Sequence, residues 1–125
     1  MRGLVRRVLA SEKHASARIS LAIVDDAEIT RLNARYLGRR SSTDVLAFAY
    51  GAPEDPVVDE ELGEVIVSAE TAAREAGLRR KTPEKELDLY VVHGLLHLLG
   101  YDDASPGKAR VMRHREKELL GMLGG

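Results

Sequence analysis

The most apolar stretch of the chain carries two histidines. Residues 89 to 99 read LYVVHGLLHLL, with His93 and His97 four positions apart. On a helix that spacing is one turn and about 40° of rotation, so the two rings share a face. Two imidazoles on one face is a standard way for a helix to hold a divalent metal ion. The ordinary reading of a lone buried histidine is a core residue hydrogen-bonded to backbone or carboxylate. A pair weakens that reading. Each ring needs partners, an unsatisfied one costs about 1–3 kcal/mol, and a shared ion would satisfy one nitrogen of each. Gly100 then turns the chain back, and Tyr101, Asp102 and Asp103 follow. A carboxylate here would complete a three-ligand site with one position open to water, the arrangement of a catalytic ion. The alternative for Asp102 and Asp103 is an acidic turn that caps the next helix, and each of the pair could do one of these jobs.

Composition limits what else could do chemistry. Cys is absent and only four His exist, His14, His93, His97 and His114. A disulfide framework, a Cys-rich zinc knuckle and a thiol nucleophile are excluded, so a transition-metal site must use imidazole and carboxylate. The 125 residues, 44% hydrophobic and 31% charged, suit one globular domain over residues 1–125. A net charge of -1 gives no sign of a general nucleic-acid binder, although a local basic patch remains open. No run reaches the ~18 apolar residues a membrane span needs, and charges interrupt the N-terminal MRGLVRRVLASEK before any signal-peptide core can form. A cytoplasmic protein is expected.

Hydrophobic spacing supplies the elements that must position these residues. Leu4, Val5, Val8 and Leu9 predict an amphipathic helix over 2–12, and ARISLAIV predicts a strand over 17–24. Asp25 or Asp26 can cap a helix carrying Ile29, Leu32, Asn33 and Tyr36, stopped by Gly38. A second strand is expected over 43–50, a surface loop over 51–61 and a third strand over 63–68. Ser68 can cap a short helix closed by Gly77, while Thr82-Pro83 and Ser105-Pro106 are two further helix starts. A helical crossover between the first two strands favours pairing them parallel, and the loop between the second and third favours antiparallel pairing. The expected fold class is α+β, a small mixed sheet packed with helices, with the metal site on a buried central helix.

The run His93-Gly94-Leu95-Leu96-His97-Leu98-Leu99-Gly100-Tyr101-Asp102 resembles the signature H-G-x-L-H-L-x-G-Y-D-H of the YbeY family, metal-dependent endoribonucleases of ribosomal RNA maturation. Leu32-Asn33, Tyr36, Gly38 and Thr43-Asp44-Val45-Leu46-Ala47-Phe48 are similar to its L-N-x-x-Y-R-G…T-D-V-L-S-F segment. Leu62-Gly63-Glu64-Val65-Ile66-Val67-Ser68 looks like its L-G-D-I-x-I-S strand, and Met112 and Glu116 fit its last helix. The likeness runs in order from about Ile19 to Leu120. It implies single-strand-specific RNA cleavage in the maturation of the small-subunit ribosomal RNA 3′ end and in ribosome quality control. It also implies RNA and the ribosome or its proteins as partners, and one divalent ion, Zn2+, as cofactor.

Three positions depart from the family pattern. Asp103 stands where the family has its third ligand His, which makes His93, His97 and Asp103 the implied ligand set, harder and more negative than three imidazoles. Leu37 stands where the family has an arginine tied to activity, and Arg39 or Arg40 could reach the same space. Glu64 replaces an Asp. Arg79, Arg80 and Lys81 are a further basic cluster, ordinarily a solvated run. Asp102 could orient a ligand His through its other ring nitrogen, and Ser41, Ser42 and Thr43 could line the cleft. His14 and His114 match no ligand position of the family. Two rival readings remain. A zincin protease needs H-E-x-x-H, and Gly94 holds the place of its general base. A non-catalytic ribosome-assembly factor, with a structural metal, gains weight from Leu37.

Overall fold

A computed structural model describes residues 1–37, 44–49 and 61–122. Their elements are α1 (Arg2–Ser11), β1 (Arg18–Val24), α2 (Asp26–Leu37), β2 (Val45–Ala49), β3 (Glu61–Ser68), α3 (Ala69–Arg79), α4 (Pro83–Leu98) and α5 (Pro106–Met122). The expected stop at Gly38, residues 51–60 of the expected 51–61 loop and the ends of the second strand at Thr43 and Tyr50 lie outside the described residues. Glu61, expected in the loop, begins β3, because it pairs with Arg18 of β1.

The strands form one mixed sheet in the order β1-β3-β2, with β3 parallel to β1 and antiparallel to β2. This corrects the expected parallel pairing of the first two strands, which do not touch. The reason lies in β3. Its Val65 and Val67 point toward α4, and its Ile66 points the other way, into a cluster with Ile29 and Leu46. A strand apolar on both faces needs cover on both faces, and only the central position supplies it. β1 alternates between half-buried and exposed positions, which suits an edge.

α4 is the core helix. Tyr90, Val91, Val92, Gly94, Leu95 and Leu96 are all buried in it. Each large apolar side chain contributes roughly 1.5–3 kcal/mol on leaving water. The helix starts as its sequence requires, with the Thr82 hydroxyl accepting from the Lys85 N–H and Pro83 in the first turn. Asp25 caps α2 by accepting from the Glu28 N–H at 2.8 Å. Ser68 caps α3 as expected, but Gly77 does not close it. α3 runs on to Arg79, and Arg80 takes the left-handed conformation (φ 55) that ends it. Gly77 meets nothing within 4 Å, so it is tolerated in a helix rather than required at its end. Among the described residues no helix is long and apolar enough to cross a membrane.

Candidate metal centre

The position of the two histidines follows from the glycine between them. A Cβ added at Gly94 would stand 2.7 Å from Val65 Cγ1 and 3.1 Å from Val45 Cγ2. α4 therefore lies directly on β3 and β2 at this point, closer than any side chain would permit. A glutamate at this position would have to drive into the core, so the zincin pattern fails here on packing as well as on chemistry.

The Nε2 atoms of His93 and His97 stand 3.1 Å apart, with the rings near perpendicular at 77°. Two nitrogens sharing a tetrahedral zinc at about 2.0–2.1 Å each would be about 3.3 Å apart, so the pair fits an ion without rearrangement. The carboxylate of Glu116, on α5, is bonded to His93 Nδ1. A carboxylate only accepts, so the proton belongs on Nδ1, and Nε2 is left with its lone pair facing His97. That is the tautomer a metal ligand needs. The same hydrogen bond raises the His93 pKa above its ordinary value, against the opposing effect of burial, with Asp44 and Asp103 adding smaller pulls in the same direction.

The third group arrives by a turn. Gly100, at φ 102, ends α4 with Gly100 N–H donating to the His97 carbonyl and Tyr101 N–H to the Leu96 carbonyl, a Schellman motif. Tyr101 is then held from outside, its hydroxyl 3.2 Å from Glu12, which also accepts from Arg115 Nε at 2.5 Å. This pins the turn between α1 and α5. Asp103, exposed, falls within 4.8 Å of the histidine nitrogens, ligand atom to ligand atom. His93, His97 and Asp103 are thus brought together. Asp102 is not the expected partner of a histidine. Its carboxylate accepts from the Ala104 N–H at 3.0 Å and faces Lys108, and both lower its pKa, the backbone bond more strongly. It caps the turn, and Glu116 does the orienting.

Comparison with known proteins agrees with this geometry. The family model described as "Endoribonuclease YbeY" matches residues 1–124. The chain belongs to this family. A relative so named from Anaeromyxobacter sp. is 45% identical over 119 residues, 93% of this chain and 61% of its own length. One from Pelotomaculum thermopropionicum is 41% identical, covering 94% of this chain and 80% of the relative. The solution structure of a Thermotoga maritima protein aligns with a TM-score of 0.68 at 28% identity, over 95% of this chain and 75% of that one.

The family motif is therefore present on the element and at the turn expected of it, with Asp103 in the place of its last His. Leu37 ends α2, and Glu64 lies in β3 opposite Phe48. Arg39, Arg40, Ser41, Ser42 and Thr43 lie outside the described residues. His114 is on the outer face of α5, 3.3 Å from Glu118, and is no part of the group; His14 sits in the turn after α1. Arg79 is committed to Glu75 and to the fully buried Glu86. Glu116, named from the sequence only as fitting the family's last helix, is the contact of His93 that the sequence reading did not foresee. Its signal was present, because Glu116 shares the buried stripe of α5 with Met112 and Leu119. A carboxylate on a core stripe needs a buried partner.

Proposed function

We propose that this chain is a single-domain, metal-dependent endoribonuclease that cleaves single-stranded RNA in ribosomal RNA processing, and that His93, His97 and Asp103 hold its ion. The observation that carries the reading is the convergence of the two Nε2 atoms and Asp103 on one point, in a chain of this family. An ion bound there supplies Lewis acidity, polarising a phosphoryl oxygen or lowering the pKa of a bound water. The chain's own residues do the rest. His93 and His97 present their Nε2 atoms from a helix fixed in the core. Glu116 keeps the His93 proton on Nδ1, away from the site. The Gly100 turn delivers Asp103, whose carboxylate makes the ligand set anionic and leaves one side open to solvent. Arg39 and Arg40 are assigned the task of holding the phosphate. Zinc is the proposed ion, the ribosome or its proteins the proposed partner, and the cytoplasm the proposed location.

A second reading, a non-catalytic assembly factor with a structural metal, draws on Leu37 in the place of the family arginine. One comparison separates them. Purified protein, with and without chelator, is offered single-stranded RNA and casein beside His97→Ala and Asp103→Ala. RNA cleavage that chelator and both substitutions abolish is the expected result. Metal bound at unit stoichiometry with no cleavage would favour the assembly factor, and casein hydrolysis would favour a protease.

A further inference from the structure

A nuclease must grip a polyanion, and a chain with net charge -1 has no general field to do it. The grip must be local. Between α4 and α5 opens a cleft of about 430 Å³, with Lys81 and Lys85 on one wall and Arg113 and Lys117 on the other. Leu89 and Glu116 are also in its lining, and Asp88 is the remaining carboxylate there. Glu116 is the residue whose carboxylate meets His93 Nδ1, so the cleft reaches the back of that ring, on the side away from the Nε2 that faces His97.

Helical spacing makes the arrangement continuous. Lys85, Leu89 and His93 follow one another at intervals of four on α4, so Lys85 lies about two turns before His93, a rise of about 12 Å along the helix axis. On α5, Arg113, Glu116 and Lys117 share a face. Elsewhere some cations are paired, while others, such as Arg6, Arg7 and Arg110, have no acidic partner among the described residues, so what marks the cleft is the gathering of four cations in one concavity. Arg18 faces Glu61, Arg31 faces Glu28, Arg74 faces Asp26, Arg79 faces Glu86 and Arg115 faces Glu12. Lys85, Arg113 and Lys117 are exposed and have no such acidic partner among the described residues, and Lys81 only approaches Glu86 at 3.9 Å. Cations gathered in a concave site whose floor reaches the back of His93 fit a phosphate chain in sign and shape.

We propose that the α4–α5 cleft is a phosphate track that holds the backbone of single-stranded RNA outside the metal centre, with Lys85, Arg113 and Lys117 as positioning residues. The role assigned to the cleft rests on the endoribonuclease reading, but its binding can be tested apart from cleavage. The full chain is titrated onto a labelled single-stranded RNA with methylated 2′-hydroxyls, checked intact by gel, between 50 and 200 mM salt. Each single-strand phosphate contact contributes about 0.7 to the slope of log affinity against log salt. The triple variant Lys85→Gln/Arg113→Gln/Lys117→Gln should lower that slope by about 2, a loss on the order of 100-fold in affinity at 0.1 M salt relative to 1 M. Removing three exposed cations elsewhere, Arg7→Gln/Arg18→Gln/Arg31→Gln, should leave the slope close to wild type. On unmodified RNA the cleft variant should raise KM and keep kcat. A cleft-variant slope within half a unit of wild type overturns the proposal, whether the cleft then takes an acidic protein segment or nothing. An equal fall in the control variant, or a wild-type slope near zero, overturns it too. If wild type fails to cut RNA while the slopes behave as expected, the nuclease reading falls and the track stands.

Discussion

Gly94→Ala puts the close approach of α4 to the sheet to the test. Helix propensity alone favours the change by up to about 1 kcal/mol, because glycine is a poor interior residue. The structure predicts the opposite sign. The new Cβ would meet Val65 Cγ1 at 2.7 Å, where ordinary contact begins near 3.4 Å, so something must yield by about 0.7 Å. Val65 cannot do so cheaply. It is fully buried, branched at Cβ and set in the central strand between β1 and β2. Overpacking of this kind costs about 1–3 kcal/mol. Less a full propensity gain, the net loss is up to about 2 kcal/mol, with a fall in Tm of about 3–6 °C per kcal/mol for a chain of this size. Thermal unfolding followed by circular dichroism measures it. The paired substitution Val65→Ala, destabilising by itself through the cavity it leaves, removes the obstructing methyls. The double variant should therefore be more stable than the sum of the single losses by about 1 kcal/mol or more. A stabilised Gly94→Ala, or losses that simply add, would refute the claim that this glycine exists to seat α4 on the sheet.

Glu116→Gln keeps the shape of the His93 partner and removes its charge, so metal affinity should fall about 10–100-fold, read by competition with a chromogenic chelator; unchanged affinity would detach Glu116 from the site. Asp103→His should tighten zinc in the same titration by restoring the softer family ligand, and weaker binding would remove Asp103 from the ligand set. Asp26 is held at a pKa of about 2 by hydrogen bonds from Ser68, Thr71 and Arg74. A carboxyl lowered by folding stabilises in full above its unfolded value of 3.8 and loses that contribution as pH falls toward 2. Asp26→Asn should therefore lower Tm at pH 7, with the gap to wild type closing between pH 4 and 2. A gap independent of pH would count against the network.

What could be read from the sequence was what local rules decide. Helix starts at Thr82-Pro83 and Ser105-Pro106, the Ser68 cap and the shared face of His93 and His97 depend on a few neighbouring residues, and all appear in place. Sheet order did not follow from the crossover rule, because which strand sits in the middle is decided by cover on both faces, and that cover comes from α2 and α4 far apart in sequence. The end of α3 was misplaced for a related reason. Gly77 looked like a stop, but Arg80 could take the left-handed cap while Arg79 reached Glu86. At the site, the pair on α4 was legible and its orienting partner was not. Asp102, near in sequence, is used by its own turn, while Glu116 comes from another helix 23 residues on.

The same contrast explains where this chain departs from its family motif. Gly94 and the rings beside it are fixed by the core, since any side chain at 94 collides with Val65 and His93 is braced by Glu116. Asp103 is different. It follows the Schellman turn, is exposed, and reaches the site only through its functional atoms. Exchanging imidazole for carboxylate there leaves no cavity and buries no unpaired charge, so it costs the fold little and alters mainly the chemistry. In the proposed centre, the exposed Asp103 would tune hardness and charge while the two half-buried histidines keep the geometry. That division puts the test of metal preference at position 103, where activity and stability can be changed independently.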